Sequence, residues 1–182
     1  MLQGIEKTRV GYAGGTTLNP TYTNIGDHTE TIEMEFDGAY MTYEDIMDLF
    51  FVSHTPENRT GCTQYKSIIF YHDEEQREVA LKKKREFEEK GYFFNTDIVP
   101  FERFYLAEFY HQKYYLQKYK VILKEVGANS EDDLINSEKA TKLNGHCGGY
   151  GTLEDLKRDR EKWNFKEETI EWLKKIIDNY NR

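Results

Sequence analysis

Between residues 30 and 51 the apolar residues change from the spacing of a β-strand to the spacing of an α-helix. This change limits the folds that the chain can adopt. Residues 30–36 alternate polar and apolar side chains, which is typical of a β-strand. The apolar set of that strand is Ile32, Met34 and Phe36. Residues 43–51 instead place apolar side chains at helical spacing, and Thr42 stands where a helix N-cap is expected. A strand followed by an amphipathic helix predicts a mixed domain.

Further elements extend this prediction along the chain. Three more strands are predicted from β-branched and aromatic content, at Thr8–Tyr12, Ser67–Tyr71 and Thr96–Val99. Three more helices are predicted: one capped by Asp73 and running to Gly91 with a charged, solvated face, one over the Ala107–Lys118 region, and one at the tail with Leu173, Ile176, Ile177 and Tyr180 on a shared face. This order predicts an α+β sandwich with an antiparallel or mixed sheet.

Charge and composition exclude some classes of partner. The net charge of −8 repels phosphate backbones, so nucleic acid is not an expected partner. No apolar run is long enough to span a bilayer, and the first residues show no leader pattern, so a cytoplasmic location is expected. We expect a first domain over residues 1–120 and a helical extension over residues 121–182. Two cysteines in a reducing compartment should remain free thiols.

Glu30 and two tyrosines are the first candidates for chemistry. Glu30 falls in phase with the apolar face of its strand, where partial desolvation would raise its pKa and let it donate a proton. The alternative is a solvated glutamate at the end of a strand. Tyr22 and Tyr65 lie at junctions of loops with strands, and their hydroxyls are good donors to a small polar oxygen. The alternative for each is an ordinary core tyrosine.

The two thiols are further candidates. Cys62 lies in a polar loop, where Arg59 would lower the pKa of an exposed thiol. The alternative is an ordinary cysteine, since the sequence shows no nucleophile–base constellation around it. Cys147 follows His146 in a glycine-rich stretch, which either carries a mobile shuttle thiol or simply ends one helix and begins the next. The histidines are scattered without a paired spacing, so neither a metal nor a bound cofactor is predicted.

Several motifs, taken in order, resemble the A-type peptide methionine sulfoxide reductases. These are T-R-V-G-Y-A-G-G, N-P-T-Y, D-H-T-E, T-Q-Y-K-S-I-I-F-Y-H-D-E-E-Q and A-E-F-Y-H-Q-K-Y, spread over residues 2–118. The segment A-T-K-L-N-G is similar to members with a longer C-terminus. The resemblance implies a ferredoxin-like two-layer α/β sandwich, here followed by the helical C-terminal extension.

The resemblance also implies a reaction and roles for residues. The expected activity is thiol-dependent reduction of methionine-S-sulfoxide, free or in proteins, with thioredoxin or dithiothreitol as reductant. Glu30 matches the glutamate that protonates or hydrogen-bonds the sulfoxide oxygen. Tyr22 and Tyr65 match the two tyrosines that donate to that oxygen.

Departures from the family pattern leave the activity of this chain open. The family's nucleophilic cysteine lies in a G-C-F-W-G motif, which we expect directly upstream of Met1 and which these 182 residues do not contain. Thr60 stands near a position where many members carry aspartate, and Cys62 stands where glycine is usual. Cys62 is therefore a candidate substitute thiol. Three functions compete: a sulfoxide reductase, a non-catalytic sulfoxide-binding or regulatory module, and an enzyme that uses Cys62.

Overall fold

The computed structural model describes residues 3–54, 62–92 and 95–180. Within them the strands are β1 (Ile5–Ala13), β2 (Thr29–Phe36), β3 (Ile68–Tyr71), β4 (Asp97–Pro100) and β5 (Phe104–Leu106). The helices are α1 (Tyr43–Ser53), α2 (Glu74–Glu89), α3 (Tyr114–Gln117), α4 (Lys120–Val126), α5 (Glu131–Ile135), α6 (Glu138–Cys147), α7 (Leu153–Trp163) and α8 (Glu167–Tyr180). Two 3₁₀ turns cover Thr63–Tyr65 and Phe109–His111. The α+β prediction is confirmed.

The strands form two small sheets. One has the order β2-β1-β5, in which β1 and β5 run antiparallel with Tyr12 opposite Tyr105. The other pairs β3 with β4 in parallel, and α2 lies between them in the chain. Neighbouring parallel strands need a long crossover connection, and α2 provides that connection between β3 and β4. The four predicted strands are confirmed, and β5 is an addition.

The chain divides into two compact units, which are described separately. One, the helical unit, comprises Met1–Arg9, Glu33–Phe36 and Glu108–Arg182. The other, the mixed unit, comprises Val10–Ile32 and Asp37–Ala107. The candidate residues Tyr22, Glu30, Cys62 and Tyr65 belong to the mixed unit, whereas Cys147 belongs to the helical unit.

In the mixed unit, α1 packs on α2. Thr42 caps α1, as its sequence predicts, and the structure adds a capping box with Asp45. The Phe51 and Phe87 rings meet at 5.4 Å between centroids. The charged run of α2 is less solvated than predicted, because Lys83 is only 8% exposed. Its ammonium lies 2.9 Å from the carboxylate of Asp48 and 3.1 Å from that of Glu44, which compensates its burial.

The core of the helical unit is formed by helices α3 to α8 and the residues between them. Its largest fully buried aliphatic side chains are Leu116, Ile122, Leu143, Ile170, Leu173 and Ile177. The predicted apolar face of α8 is confirmed for Leu173, Ile176 and Ile177, whereas Tyr180 is exposed. Burial of a leucine-sized side chain contributes roughly 2 kcal/mol, so this cluster is a main source of the unit's stability.

The helix predicted over residues 107–118 is wrong as one continuous element. The structure has the 3₁₀ turn Phe109–His111, then Lys113 in a left-handed conformation with φ of 48°, then the short helix α3. The ammonium of Lys113 donates to the backbone oxygen and the hydroxyl of Thr8. This contact with a residue 105 positions away holds Lys113 in a conformation that breaks the helix.

Candidate functional site

Asp27 organises the loop that leads toward Tyr22. Its carboxylate accepts the backbone N–H of Thr16 at 2.8 Å and that of Thr17 at 3.0 Å. It also accepts the hydroxyls of the same residues at 2.9 and 2.8 Å. These donors, led by the Thr17 N–H, hold the pKa of Asp27 well below its usual range. An ionised carboxylate therefore fixes the loop in one conformation.

The side chain of His28 stabilises the same loop through two hydrogen bonds. The N–H of Gly15 donates to Nδ1 of His28 at 3.0 Å, so the ring hydrogen resides on Nε2 and is donated to the Thr17 carbonyl at 2.8 Å. The imidazole is buried, and its ring lies edge-on to Tyr105. A side chain at position 15 would meet the carboxylate of Asp27 at 2.5 Å, so this close approach requires glycine.

Tyr22 lies at the tip of a two-residue chain reversal. Thr21 and Asn24 exchange backbone hydrogen bonds at 3.3 and 3.0 Å, which leaves Tyr22 and Thr23 outside the bonded pair. Gly26 then takes a φ of +64° directly before Asp27. The Tyr22 side chain is 43% exposed, so it is available to a ligand from solvent.

The start of β2 is joined to the 3₁₀ turn Thr63–Tyr65 by two hydrogen bonds. The buried hydroxyl of Thr29 donates to the backbone oxygen of Thr63 at 2.8 Å. The side-chain amide of Gln64 donates to Oε1 of Glu30 at 2.6 Å. Because Glu30 follows Thr29 and Tyr65 follows Gln64, these bonds bring the two candidate residues to the same place.

Tyr65 is the point at which the candidate residues meet. Its hydroxyl hydrogen-bonds the Tyr22 side chain, and the charge of Glu30 acts on it. Partial desolvation, then Glu30, Tyr22 and Cys62, raise the pKa of Tyr65 above the ordinary value, so its hydroxyl stays protonated at neutral pH. The site is thus an open surface with two phenols and a carboxylate, a set that can donate to and accept from a small polar group.

The structure supports the second interpretation of Glu30, a solvated glutamate at the start of its strand. Glu30 is exposed, and Ile32 on the same strand face is 53% exposed. Strand β2 is an outer strand in the order β2-β1-β5, and its alternation correctly predicts a strand without fixing how much of its apolar face is covered. The placement of the carboxylate beside Tyr65 therefore depends on the Gln64 hydrogen bond rather than on an apolar pocket.

Cys62 is exposed and precedes the turn that carries Tyr65. The N–H of Tyr65 donates to the backbone oxygen of Cys62 at 3.3 Å, and the thiol lies close enough to contribute to the raised pKa of Tyr65. The proposed influence of Arg59 and the position of Thr60 fall outside the described residues.

Cys147 has a different environment. It is buried at the end of α6, and burial raises the pKa of its thiol to about 12. Gly148 ends this helix, and Thr152 caps α7 four residues later. The structure supports the second interpretation of this glycine-rich segment, in which the glycines separate two helices. The neighbouring His146 is also buried and pairs with Asp159 at 2.8 Å.

The sequence did not indicate that Asp27, His28, Thr29 and Gln64 support the site. The local signal was present in the strings D-H-T-E and T-Q-Y. Their partners lie 10 to 34 residues away, which sequence spacing alone does not reveal. Within the part of the chain that the structure describes, no group of three histidine, cysteine, aspartate or glutamate residues is placed to hold a metal ion.

Comparison with known proteins identifies the family of this chain. Residues 1–143 match the family described as peptide methionine sulfoxide reductase, which is more than half of the chain. The chain therefore belongs to the peptide methionine sulfoxide reductase family. None of the helices in the described ranges is long and apolar enough to cross a membrane.

Individual relatives agree with the family match. The chain is 42% identical over 166 residues to a peptide methionine sulfoxide reductase of Drosophila melanogaster, an alignment that covers 87% of this chain and 65% of the fly protein. It is 43% identical over 123 residues to the enzyme MsrA of Nautilia profundicola, with 63% of this chain and 71% of that protein covered. The chain thus spans just under two thirds of the fly protein.

Solved structures show the same fold. Reduced Mxr1 from Saccharomyces cerevisiae superposes with a TM-score of 0.57 at 31% identity, covering 63% of this chain and 72% of Mxr1. Methionine sulfoxide reductase A of Corynebacterium diphtheriae superposes with a TM-score of 0.53 at 30% identity, covering 63% of this chain and 64% of that chain.

Proposed function

We propose that this chain binds methionine-S-sulfoxide, free or in peptides and proteins, and takes part in its thiol-dependent reduction to methionine. The observation that carries the proposal is the meeting of Tyr22, Glu30 and Tyr65 at one exposed place. A sulfoxide oxygen is a small, strongly accepting group, and two phenolic hydroxyls beside a carboxyl group match it. Family membership supports the same substrate class.

Each of the three side chains has a role in this proposal. The hydroxyls of Tyr22 and Tyr65 donate to the sulfoxide oxygen, and the raised pKa of Tyr65 keeps its proton in place. Glu30 protonates or hydrogen-bonds that oxygen, which is the role that the resemblance to the family implies. Both effects draw electron density from sulfur, which makes the sulfur a better target for a thiolate.

The proposed reaction balances with two thiols. A thiolate attacks the sulfoxide sulfur, the S–O bond breaks, and methionine leaves while the oxygen remains on the attacking sulfur as a sulfenic acid. A second thiol displaces that oxygen as water and forms a disulfide, so two thiols are oxidised as one sulfoxide is reduced. A dithiol such as thioredoxin or dithiothreitol then restores the reduced state.

Cys62 is the candidate thiol within these 182 residues, since Cys147 is buried and the sequence contains no G-C-F-W-G motif. That same observation favours a second candidate function, in which the chain holds a sulfoxide without reducing it. The cytoplasmic location, the thioredoxin partner and the division at residue 120 remain predictions.

A reductase assay separates these functions. The chain and its Cys62→Ser variant are incubated with dithiothreitol and a peptide containing methionine-S-sulfoxide, and methionine is measured. Turnover that is lost in Cys62→Ser supports Cys62 as the nucleophile, and turnover that survives rejects it. Absence of turnover in both rejects reduction by these 182 residues alone. Peptide binding without turnover then identifies the binding module, and absence of binding rejects it.

A further inference from the structure

The three proposed ligand-binding side chains come from separate segments of the mixed unit. Tyr22 is on a chain reversal, Glu30 is near the start of β2, and Tyr65 ends a 3₁₀ turn. A ligand with a single polar oxygen needs its partners within a few tenths of an ångström of a productive position. Exposed side chains on separate segments do not hold such positions by themselves, so some contact must set the distance between the segments.

We propose that the hydroxyl of Thr29 and the side-chain amide of Gln64 form a two-bond bridge that positions Glu30 and Tyr65 for one shared ligand oxygen. Thr29 supplies the first bond, to the Thr63 carbonyl at 2.8 Å, and Gln64 supplies the second, to Oε1 of Glu30 at 2.6 Å. The bridge is defined by these four residues. Thr29 and Gln64 are positioning residues, since neither is assigned a contact with the ligand.

The geometry of the bridge explains why both bonds are needed. Thr29 is only 3% exposed, so its hydroxyl has little access to water. Water therefore competes little with its hydrogen bond to Thr63. Gln64 occupies one oxygen of the Glu30 carboxylate and leaves the other for a ligand. The first bond fixes the backbone of the 3₁₀ turn, and the second fixes the rotation of the carboxylate.

The state of Tyr65 agrees with the bridge. Its raised pKa reflects partial desolvation first and the nearby charge of Glu30 second. The effect of Glu30 depends on its separation from Tyr65, which the bridge sets. Loss of the bridge should therefore return the titration of Tyr65 toward the ordinary tyrosine pKa of 10.0.

Three variants test the bridge. Thr29→Val removes the hydroxyl and keeps the shape, whereas Thr29→Ser keeps the hydroxyl and serves as the matched control. Gln64→Leu removes the second bond at a partly exposed position, where misfolding is a smaller risk than at the buried Thr29. Circular dichroism establishes that each variant folds.

Two measurements are made on these variants. The first is the pH titration of the Tyr65 ring, followed by NMR of protein labelled at the tyrosine ring carbon that bears the hydroxyl, with Tyr65→Phe for assignment. The second is the affinity for a peptide with one methionine-S-sulfoxide. We expect Thr29→Val and Gln64→Leu to lower the Tyr65 titration midpoint and to weaken binding about fivefold each, the effect of one lost hydrogen bond. Thr29→Ser should match the wild type.

The outcomes separate the bridge from the function on which its ligand role rests. Titration of Tyr65 that is unchanged in both Thr29→Val and Gln64→Leu overturns the bridge, whatever the binding data show. If the wild-type chain binds no sulfoxide peptide, the proposed function fails, while the titration still decides whether the bridge exists. Equal behaviour of Thr29→Val and Thr29→Ser also overturns it, since the hydroxyl would then have no role.

Discussion

Asp27 accepts four hydrogen bonds from Thr16 and Thr17, so its ionisation is linked to folding. Its pKa in the folded state lies well below its value in an unfolded chain, near 3.8. The stabilisation is therefore present above about pH 4 and is lost as the pH falls further. We expect Asp27→Asn to lower the melting temperature at pH 7, with the difference from wild type narrowing in acid.

Thermal unfolding between pH 2 and pH 7 measures this effect. Asp178→Asn is the control for the loss of one surface carboxylate, because Asp178 is exposed on α8. A constant difference between Asp27→Asn and wild type across this range would contradict the linkage.

The two thiols should differ strongly in reactivity. With a pKa of about 12, only about one Cys147 in ten thousand is a thiolate at pH 8 in the folded protein, and the side chain is buried as well. Cys62 is exposed. We expect iodoacetamide to modify Cys62 at pH 8 and to reach Cys147 only after denaturation, as read by peptide mass spectrometry. Similar rates of modification at both thiols in the folded protein would contradict this prediction and support a shuttle role for Cys147.

At the level of secondary structure elements, α1 depends on its N-terminal cap. The hydroxyl of Thr42 accepts the N–H of Asp45 at 3.2 Å, and the Asp45 carboxylate accepts the N–H of Thr42 at 2.8 Å. We expect Thr42→Ala to lower the free energy of unfolding by about 1 kcal/mol, whereas Thr42→Ser should cost a few tenths at most. Urea denaturation measures both, and equal losses would show that the hydroxyl does not cap this helix.

The contact between α1 and α2 includes a buried lysine. Lys83 is 8% exposed and bonds Asp48 and Glu44, whereas its neighbour Lys82 is mostly exposed. We expect Lys83→Met to destabilise by about 1 to 2 kcal/mol, since it removes charge-assisted hydrogen bonds from a shielded place. Lys82→Met should cost less than about 0.5 kcal/mol, as for exposed ion pairs. Equal losses of unfolding free energy for Lys83→Met and Lys82→Met in urea denaturation would contradict this prediction.

The elements with local signals were predictable from the sequence. Strand β2 follows from its alternation, and the Thr42 and Asp73 caps mark the starts of α1 and α2. Strand β5 has only three residues, too few for a period to be recognised. The break at Lys113 depends on a bond to Thr8, and the burial of Lys83 depends on side chains of another helix. Such distant partners leave no local signal.

Across the whole molecule, sequence and structure contribute different parts of the candidate site. The resemblance to a family indicated Tyr22, Glu30 and Tyr65, and the structure brings these three together within the mixed unit. The supporting contacts of Asp27, His28, Thr29 and Gln64 required coordinates, because each joins segments that are distant in sequence. The sequence left open whether Glu30 is desolvated or solvated, because alternation identifies a strand face without showing what covers it.

We propose that Tyr22, Glu30 and Tyr65 together bind the oxygen of a methionine sulfoxide, and calorimetric titration is the decisive measurement. The titrants are three peptides identical except for one residue: methionine-S-sulfoxide, methionine-R-sulfoxide or methionine. We expect the S-sulfoxide peptide to bind most tightly, with a larger loss of affinity in Glu30→Gln than in Tyr22→Phe, because an acid can transfer its proton. Equal affinity for the sulfoxide and methionine peptides would contradict the claim.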